Sequence, residues 1–244
     1  MPTQLLTGKS ALITGGAQRV GRAIALALAN AGADVAITFL TSQDQAAKTA
    51  REIESLGRRA LAMECDVRSE NSVRSAIART VGHFGRLDLV VNNAAVFQSA
   101  PLDSLTLAQW DAVFETNTRG PFLVAREALP YLRAAQGRII NIGSLGGTKA
   151  WTTHAHYCAS KAALHMLSQT MAKAFAPEVS VNCVAPGWIE HEQSNAREAE
   201  HFALKTPMHR NGSVEDVARA VLFFASGPHF ITGQILTVDG GLGL

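Results

Sequence analysis

Long hydrophobic runs are missing from this chain: nowhere do about 18 consecutive apolar residues occur, so a membrane-spanning helix is excluded. The opening stretch MPTQLLTGKSALITGG lacks a charged segment followed by a long apolar one, so no secretory leader is expected and a cytoplasmic location follows. Cysteine is scarce. Cys65, Cys158 and Cys183 are an odd set with no C-x-x-C pair, each in or beside an apolar run, and they read as reduced, structural residues. Charge of one sign is also lacking: 22 Lys and Arg stand against 20 Asp and Glu, scattered rather than in blocks, which leaves no footprint for nucleic acid. What is present is 47% apolar and 17% charged residues, enough for a substantial core. No linker, low-complexity stretch or fixed repeat appears, so residues 1–244 read as one domain.

Short apolar runs recur as SALIT, DVAITF, ALAMECDV, LDLVVNNA, GRIINIGS, VSVNCVAP and ILTVDGG, each fit for a buried parallel strand. Between them lie helical patterns. VGRAIALALANAG ends at Ala31-Gly32 and DQAAKTAREIESLG at Gly57, and SENSVRSAIARTVGHFG opens on Ser69 as a cap. The stretch from Ser104 to Gly137 is long enough for two helices or one bent at Pro121. YCASK precedes the helical run AALHMLSQTMAKAF. This alternation predicts an α/β, doubly wound, mostly parallel sheet with helices on both faces, of Rossmann type. The polar, highly charged stretch from Glu190 to Gly212 follows a predicted strand, where loops of such folds surround the ligand, and is a candidate substrate-binding lid.

After the first strand comes TGGAQRVGRAIA, a glycine-rich turn opening a helix. Glycine lets the backbone approach a phosphate, and a helix N-terminus presents N–H groups and partial positive charge to it. Gly15, Gly16 and Gly21 are present, while Arg19 stands where a glycine would often be found. The second strand ends in Phe39-Leu40-Thr41-Ser42, with no carboxylate to repel a 2′-phosphate. Arg19 with Thr41 and Ser42 therefore favours NADP(H), with NAD(H) as the alternative.

Tyr157 and Lys161, four apart on a helix, lie on one face and can reach a common point. Together with TGGAQRVG, CDV at Cys65–Val67, NNAA at Asn92–Ala95, Asn117 in TNTRG, Ser144 in INIGS, APGWI and the terminal TGQILTVDGG, they make the chain resemble the short-chain dehydrogenase/reductase family over nearly its whole length. The resemblance implies a seven-stranded sheet and catalysis by Asn117, Ser144, Tyr157 and Lys161. The ammonium would lower the phenol from about 10, and Ser144 would donate to the substrate oxygen. In the family Asn117 would hold a water linking the lysine to solvent. Besides Gly15, Arg19, Val20, Gly21, Thr41 and Ser42, cofactor contacts would come from Asp66 and Val67 at the adenine, Asn93 and Ala94 on the ribose side, and Pro186, Gly187 and Ile189 along the nicotinamide. Tyr157 and Lys161 would touch the cofactor as well. Two departures stand out: Ala95 where glycine is commoner, and His191 where many relatives place a threonine.

His154 and His156 have no carboxylate or cysteine completing a ligand set, so no metal is expected. His154 reads as lining the substrate pocket or as a solvated loop residue. Trp151 and Trp188 read equally as packing or as flanking a substrate ring. The implied activity is NADP(H)-dependent interconversion of a carbonyl and a secondary alcohol. GSLGG and the VDGG ending resemble 3-oxoacyl-carrier-protein reductases. Arg19 and the short FAPEVSVNCVAPG resemble pteridine reductases, although many of those carry an aspartate at the place of Ser144. Carbonyl reduction leads, dihydropterin reduction is the alternative, and a non-catalytic nucleotide-binding scaffold is the alternative of another class. The implied assembly is a homotetramer, with a dimer as alternative.

Overall fold

The structure, a computed structural model, describes residues 4–191 and 194–244. Residues 192 and 193 of the expected lid, and residues 1–3 of the stretch read for a leader, lie outside the described residues. Seven strands, β1 (Ser10–Ile13), β2 (Asp34–Phe39), β3 (Ala60–Glu64), β4 (Leu89–Asn92), β5 (Arg138–Ile142), β6 (Ser180–Pro186) and β7 (Ile235–Val238), fall on the seven predicted runs. They form one parallel sheet in the order β3-β2-β1-β4-β5-β6-β7.

Why each run makes a strand is visible in its alternation. Ala11 and Ile13 of β1 face one core and Leu12 the other; Val35 and Ile37 of β2 oppose Ala36, and Leu89 and Val91 of β4 oppose Val90. A period of two with both phases apolar buries both faces, so helices must cover both. They do. The first core is closed by α1 (Arg19–Asn30), α2 (Gln43–Ser55) and α8 (Val214–Ser226), and the second by α3 (Glu70–Phe84), α5 (Gly120–Ala135) and α6 (Ala155–Phe175).

The capping signals act as read. Ser69 accepts from the Ser72 amide to start α3, and Gly32 and Gly57 take positive φ after α1 and α2. The stretch from Ser104 to Gly137 divides into α4 (Leu107–Phe114), a π-helical turn (Glu115–Arg119) and α5. Pro121 sits in the first turn of α5, where its missing N–H is harmless, so the break is the π turn rather than a proline bend. Within the lid stretch, α7 (Ala196–Lys205) is capped by Asn195, and Phe202 on it stacks against Trp188 at 5.4 Å. No helix among the described residues is long and apolar enough to cross a membrane.

Candidate active site

The strand order reverses between β1 and β4, and a cleft of about 560 Å³ opens at the carboxyl ends of β1 to β4. Its floor is the glycine turn. Gly15 takes φ +63°, and a Cβ at Gly21 would strike the Gly15 carbonyl and lie 2.6 Å from Asn93 Nδ2. Gln18 places no side-chain oxygen on the first amides of α1, and the first turn carries no acidic residue. Arg19 sits in the left-handed region at φ +50°, a conformation that costs about 1 kcal/mol for a residue with a Cβ. A backbone-lined hollow at a helix N-terminus, with no acidic residue in the helix's first turn and flanked by Arg19, fits a dinucleotide pyrophosphate.

Val20, Thr41, Ser42, Val67 and Ala94 line the same cleft. Asp66 lines it too, with its carboxylate forked onto Arg68 at 2.8 to 3.2 Å; the Arg68 hydrogen bond is the main reason it is held below the usual carboxylate range. Asn93 lines the cleft as well, and its Nδ2 donates to the carbonyls of Thr14 and Gly15 at 3.0 and 2.9 Å, so its side chain braces the glycine turn. Pro186 ends β6, the Gly187 amide donates to Val238 at 3.0 Å, and Ile189 bridges to Gly212, which ties the start of the lid stretch to its end. His191 lies within the field of Arg19: burial first, then that charge, lowers its pKa. Ala95 has ordinary backbone angles, so the loss of glycine there brings no strain.

Val96 lines the cleft, and the ring of its neighbour Phe97 meets Tyr157 edge-on at 4.8 Å. Ser144 follows β5 and heads a 3₁₀ turn (Leu145–Gly147), and its hydroxyl is close enough to Tyr157, in the first turn of α6, to pull against the rise in that phenol's pKa. One turn further on, Lys161 is buried, with Nζ donating to the Ile142 carbonyl at 2.8 Å and 5.8 Å from the Tyr157 ring centre. These three side chains converge as the sequence predicts. The electrostatics differ from the expectation: burial raises the Tyr157 pKa above 10, and only the Ser144 hydroxyl opposes it. The reason is that the ammonium is aimed at the end of β5 while protein crowds the phenol. The Asn117 side chain is engaged by protein: its Oδ1 accepts from the Val96 amide at 2.8 Å, and its Nδ2 donates to the Val96 carbonyl and to Ser160 Oγ, which ties the loop after β4 to α6.

Burial pulls Lys161 from 10.5 to about 8, whereas Cys183 beside it is pushed up to about 11. Near neutrality the pair is an ammonium next to a thiol. A lysine lowered in the folded state destabilises the fold below the lower pKa, and the penalty is relieved as pH rises toward the unfolded value. Between pH 8 and 10.5 the wild-type protein should gain stability relative to Lys161→Met, by roughly 3 kcal/mol in full. Denaturant titrations of both proteins across that window check this, and parallel curves would refute it.

Two residues escaped the sequence reading. His165 accepts from the Ser144 amide through Nε2 at 3.4 Å and occupies the space left by the absent side chains of Gly143 and Gly147, on either side of Ser144. Burial, then the Lys161 charge, keeps its imidazole neutral and able to accept. The available signal was the run Tyr157, Lys161, His165 at successive intervals of four on one helix stripe. Phe97 is the other, 61% exposed although aromatic. His156 is fully buried, and no group of three or more metal-ligating side chains occurs among the described residues.

The family model described as enoyl-(acyl carrier protein) reductase matches residues 15–243. The chain is 37% identical to a probable tetrahydroxynaphthalene reductase of Zymoseptoria tritici, covering 98% of this chain and 96% of that one. It is 35% identical to the 3-oxoacyl-[acyl-carrier-protein] reductase of Staphylococcus epidermidis, covering 96% and 98%. It superposes on a gluconate 5-dehydrogenase from Burkholderia cenocepacia, solved with NADP and tartrate, with TM-score 0.91, 35% identity and coverage of 98% and 97%.

Proposed function

The chain belongs to the short-chain dehydrogenase/reductase family of oxidoreductases, and from that premise we propose that it reduces a ketone to a secondary alcohol with NADPH. The observation that carries the reading is the meeting of Tyr157, Ser144 and Lys161 beside a phosphate-fitted cleft. When bound, NADPH supplies a hydride to the carbonyl carbon. Tyr157, kept protonated by burial, gives its proton to the carbonyl oxygen, and Ser144 Oγ donates to the same oxygen as charge develops. Lys161, still mostly charged at neutral pH, sets a cation behind the phenol. Asn117 acts as a positioning residue through Val96. Pro186, Gly187 and Ile189 border the nicotinamide, and the described residues of the 190–212 stretch, with α7 at their centre, serve as the lid. Ser144 in place of a carboxylate suits a ketone better than a ring nitrogen, and the relatives named above do not favour pterin reduction.

The 2′-phosphate is held by Arg19 with Thr41 and Ser42, a reading supported by the relative solved with NADP. A charge-assisted contact of about 1.5–3 kcal/mol corresponds to ten- to hundredfold in affinity. Arg19→Ala should raise the KM for NADPH by that factor and leave the KM for NADH nearly unchanged. Steady-state kinetics with both cofactors decide it, and an equal loss for both would remove Arg19 from the 2′-phosphate. A homotetramer completes the reading: Phe122 on α5, Met166 on α6 and Leu236 on β7 leave apolar surface in solvent, and light scattering gives the mass.

A further inference from the structure

Four rings meet at Tyr157 in two parallel pairs set at right angles. Trp151 lies parallel to Tyr157, with 6.0 Å between centroids and 10° between planes, and Phe97 lies parallel to His154 at 4.6 Å and 16°. Phe97 crosses Tyr157 and Trp151 at 86° and 85°, and Trp151 crosses His154 at 86°. Phe97 and Trp151 each contact the other three rings, so the planes are set by mutual contact within the protein. Yet Phe97 keeps 61% of its surface in solvent beside the hydroxyl that transfers the proton.

The four rings themselves carry no charge, and the nearest cation, Lys161, lies behind Tyr157 with its Nζ on the Ile142 carbonyl. His154 Nδ1 lies 3.0 Å from Thr153 Oγ1, and burial, then His156, holds its pKa below the ordinary value, so at pH 7 it is a neutral ring. Mutually set, neutral ring planes orient a flat ring by offset stacking on one face and edge contact with the other. To an unbranched acyl chain they offer surface without orientation, since methylenes pack equally well on aliphatic side chains. An anionic substrate gains no countercharge from these four rings.

Resting on the ketone-reductase reading above, we infer that the substrate is a flat, ring-bearing ketone, laid on Phe97 and edged by Trp151 so that its C=O meets Tyr157. Its carbonyl carbon takes the hydride of NADPH and its oxygen takes the Tyr157 proton, giving the ring alcohol and NADP⁺. The test uses wild-type protein, Phe97→Leu and Phe97→Ala, with NADPH and either 1-tetralone or acetoacetyl-CoA. The wild type should favour tetralone in kcat/KM by at least about tenfold, and Phe97→Ala should lose about tenfold on tetralone through KM while acetoacetyl-CoA stays within about twofold. Phe97→Leu, which keeps bulk without a ring, should fall between.

A second readout needs no turnover: calorimetric binding of 2-naphthol in the presence of NADP⁺ should weaken by about the same factor in Phe97→Ala. A preference for acetoacetyl-CoA, with both variants altering both substrates equally, would overturn the ring inference and leave the reductase reading intact. If no carbonyl oxidises NADPH, the reductase reading falls, and unchanged naphthol binding in Phe97→Ala would overturn the ring site separately.

Discussion

Tyr157→Phe should lower ketone reduction by about a thousandfold, within the range that a positioned general acid supplies, while NADPH affinity stays within about twofold. The substitution removes one oxygen and keeps the ring, so the contacts with Phe97 and Trp151 persist and the corner does not collapse. What disappears is the only proton on that ring able to reach the carbonyl oxygen, together with the interaction with Ser144. The loss belongs in kcat, because the transfer develops in the transition state. Stopped-flow reduction and a fluorescence titration with NADPH check both halves. Turnover surviving at near wild-type rate would mean that another group supplies the proton.

The second large effect belongs to Ser144. Ser144→Ala removes a donor aimed at the developing oxyanion and should cost about a hundred- to a thousandfold in kcat. The hydroxyl is held in place rather than free to swing: it accepts from the Gly146 amide at 3.0 Å, and its own amide is anchored on His165. His165→Leu should therefore echo the defect more weakly, in kcat before KM, while His165→Asn, which keeps an acceptor, should recover part of it. A Ser144→Ala protein with unchanged kcat would show that Tyr157 bears the oxyanion alone.

The sheet was legible because all seven strands are short apolar runs bounded by turn residues, whereas comparable runs such as PFLVA and AVLFFA sit inside longer helical patterns. Helix ends were legible where a cap residue marked them, as at Ser69, Gly32 and Gly57. The π turn at Glu115–Arg119 was not, since a one-residue widening leaves no mark in apolar spacing and Pro121 drew attention to the wrong place. At the site, spacing alone brought Tyr157 and Lys161 together, and family resemblance supplied Ser144. The direction of the Tyr157 shift and the true partners of Asn117 and Asn93 depend on crowding and on where each amide points, and those are fixed by packing between segments distant in sequence. His165 hid inside an apolar helix, where one histidine reads as a tolerated core residue.

In the proposed reaction hydride and proton are added across a C=O bond, with Tyr157 facing the oxygen. The measurement that addresses this most directly is reduction of 2-cyclohexen-1-one by NADPH carrying deuterium at the transferred C4 position, with the product read by NMR. Deuterium is expected on the carbinol carbon with the ring double bond retained, and labelled alcohol should form about a thousandfold more slowly with Tyr157→Phe. Deuterium on the β-carbon of a saturated ketone would place the chemistry at C=C and contradict it.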